Sequence, residues 1–196
     1  PARMAELCRL ALAGDRAGKV GWTIAGRLPR RVGQTGSQIV SWADGSNAWN
    51  GWLSGAEHPR VSSPEVSRVF SANHRQLGSD AYLSLARASS ELGARAKQIR
   101  DALAGLTNAT SADMVAIQLD DRALLLERWR ELLLTTLRDP KAHAALMTNV
   151  TEIIELVSKW NGRATPDSVG YRLLRGFRAT TLEYVFEPLT RKAAKL

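Results

Sequence analysis

Apolar positions alternate along the first third of this chain and recur at helical spacing along the rest. Val20, Trp22 and Ile24 take every second place over 19–26 and predict a strand with those three side chains on one face. Ahead of it, Leu7, Leu10, Ala11 and Ala13 fit a short helix that stops at Gly14-Asp15. Residues 26–36, with Pro29 and their glycines, predict a loop. Over 39–64, Trp42, Trp49 and Trp52 alternate with Gly45, Gly51 and Gly55. This predicts ordered surface loops, because tryptophans need covering and flexible linkers seldom carry them. The indoles either pack those loops or wall a substrate. The strand pattern returns over 67–72 and ends at Asn73.

Beyond Asp80 the period changes to that of a helix and stays there. Leu92, Ala96, Ile99, Leu103 and Leu106 mark one face of a helix that follows Ser89, and 107–110 is a break. Ser111 is expected to cap a short helix through Met114 and Ile117, with Asp113 in its first turn. Asp121 is expected to cap the next, which runs through Leu125, Trp129, Leu132, Leu133 and Leu137 to Asp139-Pro140. A further helix carries Leu146, Val150, Ile153, Val157 and Trp160 on one face and ends at Asn161-Gly162. Thr165-Pro166 reads as the start of a last one, through Leu173, Phe177, Thr181 and Tyr184 towards Pro188.

Strands first and helices after predict an α+β class, and no fixed period points to a solenoid. The 196 residues read as a single incomplete domain, with 1–78 a strand and Trp/Gly loop region and 79–196 helical. Two or three strands cannot close a sheet, so their edges need partners from elsewhere. Pro1, with no Met before it, likewise predicts a piece cut from a longer precursor, without a signal peptide in this stretch.

Charge changes this picture little. The net charge is +8, yet the basic residues are scattered, with Arg27, Arg30 and Arg31 the one small group and Lys192 and Lys195 a sparse tail, so no nucleic-acid partner is expected. No apolar run is long enough to span a bilayer. Cys8 is the single cysteine, and His58, His74 and His143 show no metal-ligand spacing.

The stretch Val69-Phe70-Ser71-Ala72-Asn73-His74-Arg75 is where chemistry is expected. An amide just past a strand is placed to offer a fixed N–H donor to an oxygen gaining negative charge. The same cluster also suits a plain turn, for which Asn is well adapted.

Several blocks in order resemble the penicillin acylase family of N-terminal nucleophile hydrolases, which includes acyl-homoserine lactone acylases. They are Val20-Gly21-Trp22 with Gly26-Arg27-Leu28-Pro29, then Trp49-Asn50-Gly51-Trp52, Pro59-Arg60-Val61 and Ala72-Asn73-His74-Arg75. Gly93-Ala94-Arg95, Ile117-Gln118-Leu119-Asp120 and Trp160-Asn161-Gly162-Arg163 follow. The resemblance implies a fragment, internal to the large chain, of an αββα fold. It also implies an amide hydrolase acting on a small-molecule acyl amide, partnered by the remaining segments of its own precursor and placed in the periplasm. In such enzymes a serine freed as the first residue attacks the amide while its α-amine acts as base, and that serine is expected outside these residues. The resemblance makes Asn73 an oxyanion donor and Arg95, in the following helix, the residue that holds the site together. Arg95 falls on the flank of the Leu92–Ala96 stripe, from which it can turn either to solvent or inward, and the resemblance implies the inward course, towards Asn73.

Two departures stand out, His74 where the family commonly has a second asparagine and Gln38-Ile39-Val40-Ser41 where it tends to be proline-rich. No cofactor is assigned to this stretch; the resemblance allows calcium in the complete protein, and Asp80 reads as a helix cap before it reads as a ligand. A second function class, a non-catalytic binding or scaffold domain on the same fold, stays open because the nucleophile lies elsewhere.

Overall fold

Backbone pairing in the first unit starts from a hairpin. The computed structural model describes residues 9–34, 39–62, 68–78, 81–82, 91–141 and 149–191. Leu7, Cys8, Ser67, Asp80, Ser89, His143 and Leu146, named above, lie outside them. Two compact units divide the chain, 1–108 and 109–196, with the boundary inside the break expected at 107–110. The class is α+β, small antiparallel sheets followed by helices.

The helix expected over residues 7–13 is instead strand β1, Arg9–Gly14, paired antiparallel with β2, Val20–Ala25, from Arg9↔Ala25 to Gly14↔Val20. The turn between them decides the matter. Asp15 Oδ1 accepts the Ala17 and Lys19 N–H groups, both at 2.9 Å, and Gly18 takes φ 78°. That turn sends the chain straight back along β2, and six ladder positions outweigh a marginal helical pattern. Strand β5, Arg60–Ser62, completes the sheet in the order β1-β2-β5.

Two loop expectations are also corrected. Within 26–36 lies β3, Pro29–Val32, and within 39–64 lie β4, Ala48–Trp52, and β5. Strands β3 and β4 form a separate antiparallel pair with a register shift between Pro29 and Arg31. Proline is tolerated there because a two-stranded ribbon is all edge. All three tryptophans remain about half exposed, with Trp42 edge-on to Trp49 and the Arg27 guanidinium over Trp52.

Trp22, Ile24, Leu28 and Leu77 form the core of the first unit, with Leu53, Val61, Val69 and Tyr82 packed against it. Alternation along β2 buries Trp22 and Ile24 as expected. Leu77 pins the polar stretch 72–78 to that core. Residues 68–71, expected as a strand, pair with none among the described residues. Val69 is held by this core and the Arg68 guanidinium donates to the Leu106 carbonyl at 2.8 Å, so side chains do what a ladder would have done. Helix α1, Ala94–Ala104, belongs to the same unit. Its apolar stripe begins at the buried Ala96; Leu92, expected on that face, precedes the helix and is 62% exposed.

In the second unit, helix α2 is Ser111–Gln118, a 3-10 turn spans Leu124–Leu126, and α3, α4 and α5 are Glu127–Arg138, Val150–Ser158 and Val169–Thr190. Three caps differ from expectation. Thr110, not Ser111, caps α2, exchanging bonds with Asp113 in a capping box. Ser168, not Thr165, caps α5. Asp121 caps nothing: its carboxylate accepts from Arg163 and its carbonyl from the Ala164 N–H. Leu126, at the end of the 3-10 turn, and Leu133 and Leu137 in α3 face the core while Leu125 and Leu132 stay exposed. Val150, Val157, Trp160 and Leu174 complete that core.

Candidate active site

Asn73 sits in a left-handed turn, with φ 57°, and not at the end of a strand. Asparagine is one of the few residues other than glycine that enter this region readily. The turn is tied to the start of α1 by three bonds. The Glu91 N–H donates to the Asn73 carbonyl at 2.8 Å, and the Arg95 guanidinium donates to the Ala72 carbonyl at 3.3 Å and to Asn73 Oδ1 at 2.8 Å. Arg95 thus does turn towards Asn73 across 22 residues, the course that the family resemblance implies and that its place on the flank of the stripe allows.

This contact fixes the orientation of the amide. A guanidinium has only donors, so the atom facing it must be the carbonyl oxygen, and the amide nitrogen Nδ2 is aimed elsewhere as a donor. The charge drawn onto Oδ1 by Arg95 also polarises the amide and strengthens the Nδ2–H groups. Arg95 stands in the first turn of α1, which has no acidic residue, where the macrodipole is already positive. A cation there opposes the dipole slightly, so its position is better explained by the amide it holds than by the helix. Together these make a locally positive site beside a neutral N–H donor. That is what an oxygen gaining negative charge requires.

The other residues of the cluster serve the turn. Arg75 Nε donates to the Leu77 carbonyl at 3.0 Å, and its guanidinium lies 4.4 Å from the centre of the Tyr82 ring. His74 stacks on Phe70 with centroids 5.4 Å apart, its Nδ1 accepts the Ala72 N–H at 3.4 Å, and burial pushes its imidazole below the usual histidine range.

The penicillin amidase family profile matches residues 7–195, nearly the whole chain. The chain belongs to the penicillin amidase family. A curated relative, the penicillin acylase 2 proenzyme of Pseudomonas sp. (strain SE83), is 33% identical over 69 residues. That stretch is 35% of this chain and 9% of the relative, so the chain spans a minor part of the length of the proenzyme it matches. In this chain the two residues singled out from sequence, Asn73 and Arg95, are brought into direct contact. What sequence reasoning missed was the left-handed turn and the role of backbone groups at Ala72 and Glu91 in clamping it. Asparagine within the run Ser71-Ala72-Asn73-His74 was the available signal for that turn.

Among the described residues no three His, Cys, Asp or Glu side chains lie together as a metal site, and no calcium ligand is assigned to them. Nor is any helix among them long and apolar enough to cross a membrane.

Proposed function

We propose that this chain supplies the oxyanion-stabilising part of an amide hydrolase that cleaves linear acyl amides. The observation that carries the reading is the Arg95–Asn73 Oδ1 bond, which turns Nδ2 away from Arg95 as a donor. The nucleophile is an N-terminal serine contributed by another part of the precursor. Its α-amine, with an ordinary pKa of about 7.7–8.0, is neutral often enough near neutral pH to take the hydroxyl proton. As the serine oxygen bonds to the carbonyl carbon, the carbonyl oxygen becomes an anion and receives the Asn73 Nδ2–H. Collapse of that intermediate breaks the carbon–nitrogen bond, and the leaving amine takes the proton held by the α-amine. Water then hydrolyses the ester by the same steps. Arg95 is a positioning residue, acting on the oxyanion through Asn73. A periplasmic setting and the remaining precursor segments as partners belong to the same reading.

The test uses the complete precursor protein and chromogenic phenylacetyl and long-chain acyl amides. Asn73→Asp keeps the size and the bond to Arg95 but replaces the donor with an anion. Its kcat should fall by about 10²–10³ with KM little changed. Values of both near wild type would remove Asn73 from the mechanism. An alanine or glycine at the processed N-terminus, with no turnover by wild type, would favour the non-catalytic scaffold.

A further inference from the structure

His74 lies next to the proposed donor, and the mechanism above gives it no task. Its environment is specific. Nδ1 accepts the Ala72 N–H, so the neutral ring carries its hydrogen on Nε2. The ring is stacked almost parallel on Phe70, 10° between planes, which holds it over the turn. The Ala72 unit is therefore gripped at both ends, its N–H by His74 and its carbonyl by Arg95. Asn73 follows directly, in the left-handed turn that these bonds hold in place.

We propose that His74 is a positioning residue for Asn73, its neutral Nδ1 holding the Ala72 amide so that protonation of the ring releases the turn and misaims the Nδ2 donor. This rests on the assignment of Asn73 as oxyanion donor. On protonation Nδ1 becomes a donor and meets the Ala72 N–H head to head. Phe70 stacks with either form of the ring and restrains it from swinging away, so the strain falls on the turn. Among the described residues, the charged side chains on the segments bonded to this turn are Arg68, Arg75, Glu91 and Arg95. Burial keeps the ring neutral until the pH falls below the ordinary histidine value near 6.5.

Two variants of the complete protein separate the roles of the ring. His74→Asn offers an oxygen near the place of Nδ1 and does not titrate; His74→Phe keeps an aromatic ring but has no acceptor. The substrate-free readout is hydrogen exchange at the Ala72 amide, corrected for intrinsic rates. Protection should drop roughly tenfold in wild type as pH falls below about 6.5, stay level in His74→Asn and be low at all pH in His74→Phe. In kinetics, log kcat of wild type should fall with a slope of about 1 as the α-amine protonates and steepen to about 1.5 where His74 does. His74→Asn should keep the single slope, and His74→Phe should lose about tenfold in kcat at unchanged KM. Level protection at Ala72 in wild type, a steepening that persists in His74→Asn, or a His74→Phe enzyme within twofold of wild type would each overturn the proposal. If Asn73→Asp is also without effect, the underlying oxyanion reading fails; if Asn73→Asp is crippled while His74→Phe is normal, only the role of His74 fails.

Discussion

Replacing Asn73 by glycine and by alanine separates what its backbone does from what its amide does. At φ 57° a residue with a Cβ other than Asn or Asp pays roughly 1–2 kcal/mol, and glycine pays no steric cost. Glycine instead loses about 0.4–1 kcal/mol through the greater freedom of its unfolded chain. Both variants lose the bond from Arg95. A bond to a charged group is worth about 1.5–3 kcal/mol when sheltered, but Asn73 and Arg95 are both exposed, which reduces it to below about 1 kcal/mol. Asn73→Gly should therefore be destabilised by about 0.5–2 kcal/mol, and Asn73→Ala by roughly another 0.5–1 kcal/mol. Urea unfolding followed by tryptophan fluorescence measures that order. Catalysis should ignore it, with both variants losing about 10²–10³ in kcat because both lack the amide. An alanine variant as stable as the glycine one would refute the left-handed turn. A glycine variant within a few-fold of wild-type kcat would refute the amide as donor.

Two further outcomes test the packing and the surface network. A Cβ on Gly170 would stand 2.7 Å from the Leu156 carbonyl and 2.9 Å from Trp160 Cβ, so Gly170→Ala should force α4 and α5 apart and cost about 1–3 kcal/mol in urea unfolding; an unchanged midpoint would contradict that contact. The Glu57 carboxylate, which accepts from the Ser54 N–H, Arg30 and the Ser54 hydroxyl, is held down to about pH 2 from 4.5. Since its folded value lies below the unfolded one, its contribution is present above pH 4.5 and is lost as pH falls towards 2. The thermal midpoint of wild type should therefore drop more steeply than that of Glu57→Gln across this window, and parallel curves would remove the role.

Much of this was legible in the sequence where one period dominates. Strand β2 follows from Val20, Trp22 and Ile24, and α4 from the spacing of Val150, Ile153 and Val157, because burial of one face selects one conformation. The failures share a cause. β1 carries a pattern compatible with either state, and only its pairing with β2 across the Asp15–Lys19 turn resolves it. β3 and β4 pair to form a ribbon with half-exposed tryptophans, so neither shows the alternation of a sheet covered on one face. The caps slipped by one to three residues because Thr110 and Ser111, or Thr165 and Ser168, offer equivalent hydroxyls and only local geometry chooses between them. At the site, the identities of Asn73 and Arg95 come from family resemblance, and the flank position of Arg95 from periodicity. Their bond was inferable from both. The left-handed turn was not, because the apolar run before Asn73 reads as a strand while its backbone is held by side chains.

Whether Arg95 serves catalysis only through the Asn73 amide is measured most directly by a double-mutant cycle on kcat. In the complete enzyme Arg95→Gln should lower kcat by about tenfold, and Asn73→Gly by about 10²–10³. Once the amide is gone there is nothing left for the guanidinium to hold. The double variant should therefore match Asn73→Gly within about twofold, a coupling that accounts for the whole effect of Arg95. If the two losses multiply instead, Arg95 acts on the reaction independently of Asn73, and its role as a positioning residue for the oxyanion donor is refuted.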